Sequence, residues 1–202
     1  MMEKERKHNM KLILASNSKS RKKLLESLKI DFIVQPSNTE EYSSALLPEE
    51  YCKQISFQKA LAVAKQHDEG IILAADTMVH CEGKMYGKPK TVKEAKKNIR
   101  QLSGKTHDMV TGVTIIDLYQ NKTISFSAVT KVTFSKITFA MMQKYLKKEK
   151  ALFTRCGYGE TAFFMISKID GDVTNLYGLP MRKLEKELET LGYQLDDFRT
   201  EN

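Results

Sequence analysis

The chain has 202 residues, 41% of them hydrophobic and 8% aromatic, the composition of a folded globular protein with one sizeable core. No apolar run approaches the ~20 residues needed to span a bilayer. Three dispersed cysteines, Cys52, Cys81 and Cys156, argue against a disulfide framework or a zinc site and fit a reducing cytoplasm. A net charge of +8 suits a polyanionic partner, but charge alone does not choose between nucleic acid and a small phosphate compound.

Residues 1–10, MMEKERKHNM, lack the apolar stretch of a signal peptide and read as a charged lead into the first strand. The run over 11–16 predicts a buried strand, and 18–28 a helix with Leu24, Leu25 and Leu28 on one face. DFIVQP at 31–36 predicts a second strand ended by Pro36, followed by the polar loop SNTEEYSS. A helix is expected from Pro48, with Glu49 and Glu50 in its first turn, to about His67. GIILAADTMVH at 70–80 has the apolar density of a central strand, with one charge, Asp76, at its heart. CEGKMYGKP reads as a hairpin turn or loop, and a lysine-rich helix over 91–102 stops at Gly104.

Two long alternating strands near 107–119 and 123–134 flank the turn YQNK, and a helix is expected near 138–149. RCGYGET at 155–161 is a glycine-rich loop, and AFFMISKI a further strand. The last helix begins about Pro180, its Met181, Leu184, Leu188 and Leu191 spaced as a core stripe. Alternating strands and helices give an α/β class, with a mixed sheet because of the 107–134 hairpin, in one domain.

Candidate chemistry begins at LILASNSKSRKKLLESL, where a strand stops and a basic helix starts. A helix start offers unpaired N–H groups and partial positive charge to phosphate. Ser16 and Ser18 add hydroxyls there, and Arg21 can grip two oxygens at once. Ser18 as a plain cap with Arg21 in solvent is equally open. Asp76 is costly to bury unless paired, hydrogen-bonded or on a metal. Glu40, Glu41, Lys59 and Lys88 are individually weak signals. Together, one arginine, two lysines and two carboxylates from separate elements could converge on a polyphosphate and its divalent ion. His107 at a strand start reads as a structural histidine, and no histidine has metal-site spacing.

LASNSKSRKKLL, QKALAVA, AADTMV, GKP, LSGKTHDMVTGV and IDGDVTNLYGLP occur in the order and approximate spacing of the Maf-like nucleoside triphosphate pyrophosphatases, which the chain resembles over about residues 11–192. The resemblance implies an elongated mixed sheet flanked by helices, with two lobes, a central cleft and an ITPase-like shape. Residues 1–10 and 193–202 would be terminal extensions. It implies hydrolysis of a nucleoside triphosphate to the monophosphate and pyrophosphate with Mg2+ or Mn2+, a homodimer, and a cytoplasmic house-cleaning role.

By position, the resemblance makes Asp76 the proton acceptor and Glu41, with Asp76, the metal ligands. It places Ser16, Arg21, Lys59 and Lys88 on the triphosphate. Thr77 matches the branch acting on dTTP and UTP, whereas Glu160, in the position usually held by Gln, matches the 7-methyl-GTP branch. Ser20 stands where the family carries a base-discriminating Arg or Trp. These signals conflict, so the base stays open. Neighbouring cations weaken a carboxylate as a base while burial strengthens it, so base and metal ligand both stay open for Asp76. A nucleic-acid-binding protein and a catalytically weak nucleotide-binding relative are the alternatives; the first is disfavoured by the lack of Trp.

Overall fold

The structure, a computed structural model, describes residues 10–147, 158 and 160–199. Its strands are β1 (Leu12–Leu14), β2 (Ile33–Val34), β3 (Ile71–Cys81), β4 (Lys84–Tyr86), β5 (Thr106–Asp117), β6 (Lys122–Phe134) and β7 (Ile166–Asp170). Its helices are α1 (Lys19–Ser27), α2 (Pro48–Ala64), α3 (Val92–Leu102), α4 (Phe139–Leu146) and α5 (Met181–Thr190). Short 3-10 turns occupy Glu160–Met165, Val173–Tyr177 and Leu195–Phe198. The seven strands form one sheet in the order β2-β1-β3-β5-β6-β7, with β4 also on β3. β1 is parallel to β2 and β3, while β3, β5, β6 and β7 are successively antiparallel, so the sheet is mixed, as the 107–134 hairpin predicts.

Side chains alternate across a strand, and the two faces of this sheet are covered differently. Ile72 and Ala74 of β3 pack under α2, against Ala60, Val63 and Ala64. Helix α2 lies so close that a Cβ on Gly112 of β5 would fall 2.2 Å from the backbone carbonyl carbon of Cys52. Only glycine fits such an approach. The opposite face carries two separate cores. At one end Leu73, Ala75 and Ile115 pack on Leu25 of α1 and Leu184 and Leu188 of α5. At the other, Val79, Met109 and Phe134 pack on Ile99 of α3 and Tyr145 of α4. Strands β3 and β5 run through both, which gives the elongated sheet and the two lobes.

The hairpin among the sequence expectations is present, and one strand is shorter than expected. CEGKMYGKP forms a hairpin: Glu82 and Gly83 have φ of 49° and 74°, the geometry of a tight two-residue turn, and Lys84–Tyr86 pair back onto β3. AFFMISKI is strand only from Ile166. Before it, Ala162 and Met165 are both fully buried, and a spacing of three puts them on one side of a 3-10 turn.

The segment from 193, expected as an extension, is packed. Tyr193, Leu195 and Phe198 join the first core, and the Asp31 N–H donates to the Phe198 carbonyl at 2.6 Å. The leader 1–9, residues 148–149 of the expected helix, most of the RCGYGET loop with Cys156, and residues 200–202 lie outside the described residues.

Candidate active site

The site begins with a difference in strand length. β1 pairs with β3 only over Ile71–Leu73, and β4 only over Val79–Cys81. Between them Ala74–Met78 have β5 on one side and, among the described residues, no strand on the other. The chain leaves this gap where β1 ends, passing through Ala15 and Ser16 into α1. The charge that looks anomalous in an apolar strand, Asp76, sits in the gap, beside a cleft of about 400 Å³. Ser16 and Arg21 line the cleft from the first turn, Glu41 from the polar loop and Lys59 from α2. Asp76 and Thr77 line it from β3, and Lys88 from the segment after β4. Glu160, half-buried at the head of a 3-10 turn, is not among the lining residues.

Asp76 and Thr77 are consecutive, so they project to opposite faces of the sheet. Each therefore meets a different helix. On the α2 side, the Lys59 Nζ donates to Asp76 Oδ1 at 2.7 Å and lies 3.0 Å from Glu41 Oε1. The Lys59 and Asp76 side chains are only 12% and 16% exposed, whereas Glu41 is 48% exposed. The loop carrying Glu41 is tied to α2: the Tyr42 N–H donates to Gln58 Oε1, and the Ser43 hydroxyl to Gln54 Oε1.

On the α1 side, Ser18 caps the helix, accepting from the Arg21 N–H at 3.4 Å. The cap expected from sequence is present, yet Arg21 does not face solvent; it is buried. Its Nη1 donates to Ser16 Oγ and its Nη2 to Thr77 Oγ1, both at 3.0 Å, and its Nε donates to the Gly178 carbonyl at 2.9 Å. Ser16 Oγ also accepts from the Ser18 N–H at 3.2 Å, so its own hydrogen is left to donate.

Gly178 was not singled out as a site residue from sequence. It lies in NLYGLP with φ +85°, and a Cβ there would fall 3.1 Å from Arg21 Nε and from Thr77 Oγ1. The signal available was a glycine ending a polar turn just before Leu-Pro, the place for a left-handed backbone. Thr111, whose hydroxyl is 3.0 Å from that of Thr77, gave no signal beyond its place in a strand.

His107 is a core residue, as expected at a strand start. Its Nε2 is 2.9 Å from the Tyr158 hydroxyl and its ring stands edge-on to Phe134. Burial pulls its pKa down to about 4, so the imidazole is neutral near pH 7.

Set beside known proteins, the chain matches the Maf-like protein family over residues 11–191. It is 39% identical over 177 residues to a dTTP/UTP pyrophosphatase of Thermosipho africanus, covering 87% of this chain and 90% of the relative. It is 38% identical over 187 residues to a dTTP/UTP pyrophosphatase of Carboxydothermus hydrogenoformans, covering 91% of this chain and all of that one. A solved structure of a HAM1 protein from Coxiella burnetii superposes with a TM-score of 0.52 at 16% identity, over 90% of this chain and 100% of the other, a likeness of fold alone.

Proposed function

The chain belongs to the Maf-like family, and from that premise we propose that it hydrolyses a nucleoside triphosphate, dTTP or UTP, to the monophosphate and pyrophosphate in the cleft beside β3. The observation that carries this is convergence. Arg21, Glu41, Lys59 and Asp76, from four separate segments, line one cleft at the gap in the sheet. The relatives named for dTTP and UTP, and Thr77 directly after Asp76, support the choice of base. Glu160, which pointed toward 7-methyl-GTP, does not line the cleft.

In this reading the triphosphate meets the first turn of α1, where N–H groups and the Ser16 hydroxyl donate to its oxygens. Arg21, Lys59 and Lys88 neutralise charge as pyrophosphate departs, the main requirement of phosphoryl chemistry. Asp76 orients a water for in-line attack on the α-phosphorus and takes its proton. Asp76 and Glu41 also form a two-carboxylate, all-oxygen donor set of the kind that holds Mg2+ or Mn2+ together with substrate phosphates. Such an ion supplies positive charge to the phosphate oxygens and acidifies water. Lys59, between the two carboxylates, holds them ready for that charge.

The reading includes a single domain over about residues 11–192, onto whose first core the segment to 199 packs, a homodimer and a cytoplasmic role in clearing surplus or noncanonical nucleotides; family membership over residues 11–191 is the support for the domain, the homodimer and the role. No helix among the described residues is long and apolar enough to cross a membrane. The test is pyrophosphate release from dTTP, UTP, CTP, GTP, ITP and 7-methyl-GTP with Mg2+. dTTP and UTP are expected to lead; release of orthophosphate instead, or no release at all, rejects the reading.

A further inference from the structure

Thr77 and Thr111 face each other across the β3–β5 ladder, their hydroxyl oxygens 3.0 Å apart. Thr111 is fully buried, and the Thr77 hydroxyl is its one side-chain partner among the described residues. Thr77 also receives Arg21 Nη2 at 3.0 Å. A guanidinium has donors and no acceptor, so in that bond Thr77 accepts. One question remains: which threonine donates to the other?

If Thr77 donates, the Thr111 hydrogen is left inside the protein with nothing to meet, a state folded proteins rarely carry. If Thr111 donates, its buried hydrogen is satisfied, and the half-buried Thr77 hydroxyl keeps its own hydrogen for the open side. The Thr77 oxygen then accepts twice, from Arg21 and Thr111, and its hydrogen is turned toward the cleft that Thr77 lines.

We propose that Thr111 is a positioning residue that fixes the Thr77 hydroxyl as a donor into the cleft, so that the substrate atom meeting Thr77 is an acceptor oxygen. This rests on the reading of the cleft as a triphosphate site. The oxygen is either on a phosphate or is a base carbonyl. Thymine and uracil present a carbonyl where cytosine presents an amino donor, so a donor at Thr77 would welcome the first two and repel the third.

The test is a double-mutant cycle read by pyrophosphate release with Mg2+. Thr111→Val is expected to lower kcat/KM for UTP about fivefold in the natural background and less than about twofold in a Thr77→Val background. Thr111→Ser should restore the rate to within about twofold of the unmodified protein. An equal loss in both backgrounds, no loss at all, or no rescue by serine overturns the proposal. Thr77→Val then separates the two oxygens. A loss shared by UTP, CTP and inhibition by inorganic tripolyphosphate assigns the contact to phosphate, and a loss of UTP-over-CTP preference assigns it to the base.

Should Thr111→Val fail to fold, a neutron structure of the unmodified protein decides: the Thr111 deuteron directed at Thr77 supports the assignment, and the reverse overturns it. Absence of pyrophosphate release from the unmodified protein would sink the functional reading instead, while the neutron map would still report the direction of this bond.

Discussion

Lys59 holds Asp76 at 2.7 Å from the far side of the sheet, while Thr77, the next residue, is held at 3.0 Å by Arg21 from the near side. The alternation of a β-strand thus places a carboxylate–lysine pair and an arginine clamp on either side of one sheet edge. That edge is open because β1 is three residues long and β3 is eleven.

Asp76→Asn keeps the shape of the side chain and removes its charge. The variant is expected to fold normally by circular dichroism and to lose about 10²- to 10⁴-fold in kcat, the usual worth of a positioned proton acceptor. Turnover near that of the unmodified protein would reject both the base and the metal-ligand role.

Lys59→Met removes the cation that separates Asp76 from Glu41. Two carboxylates left facing one another repel, so the variant should bind Mg2+ about tenfold more tightly without nucleotide, with turnover strongly reduced. Calorimetric titration with Mg2+ alone reads the first effect. Unchanged or weaker binding would show that Glu41 and Asp76 do not share an ion.

Gly178→Ala would keep the Arg21 side chain and disturb its seat. A left-handed backbone costs a non-glycine residue about 1–2 kcal/mol. The added methyl would also press on Arg21 Nε and Thr77 Oγ1, each 3.1 Å away. The expected result is a modest fall in thermal midpoint with at least a tenfold fall in kcat/KM, the kinetic loss exceeding what lowered stability explains. Equal kcat/KM at a temperature where both proteins are folded would mean that Arg21 does not need this anchor.

The elements and the convergence were legible in the sequence to different degrees. Asp76 was visible because a charge in ILAADTMV has no inexpensive explanation, and Arg21 because it follows a strand and a capping serine. What could not be read was the gap. It depends on β1 ending three pairs into β3 and on β4 returning six residues later, a matter of register between segments. Gly178 and Thr111 act through Arg21 and Thr77 from 157 and 34 residues away in sequence, and local pattern carries no such relation. The packed tail was missed for a similar reason: Tyr193, Leu195 and Phe198 are apolar but show neither helical nor strand periodicity.

Gly112→Ala tests how far the site depends on α2 lying flat. The methyl would fall 2.2 Å from a backbone atom of Cys52, which cannot turn aside as a side chain could. Gly112 is paired with Asp76 across the ladder, so lifting α2 there also moves Lys59 away from its carboxylate. A loss of about 3 kcal/mol or more in chemical denaturation is expected, above the ordinary range for one added methyl. A loss below about 1 kcal/mol would mean that the helix can shift at little cost.

His107 predicts how stability depends on acid. Its pKa is about 4 in the folded chain, held down chiefly by burial, against an ordinary 6.5 once unfolded. Below pH 6.5 the unfolded chain gains a proton that the folded chain does not, so protons favour unfolding there. The loss starts as pH falls through 6.5, grows to about 3 kcal/mol near pH 4, and levels off below that. Carboxylates titrate in the lower part of this window, so the measurement is a difference. Denaturant unfolding of the unmodified protein and of His107→Gln is compared at steps from pH 7.5 to 4. Between pH 7.5 and 6.5 the two curves should run parallel; below 6.5 the unmodified protein should fall more steeply, because glutamine keeps a hydrogen-bonding group near Tyr158 and takes up no proton. Parallel curves throughout would mean that the folded imidazole accepts its proton as readily as the unfolded one, and that the cage of Phe134 and Tyr158 does not exclude the charged form.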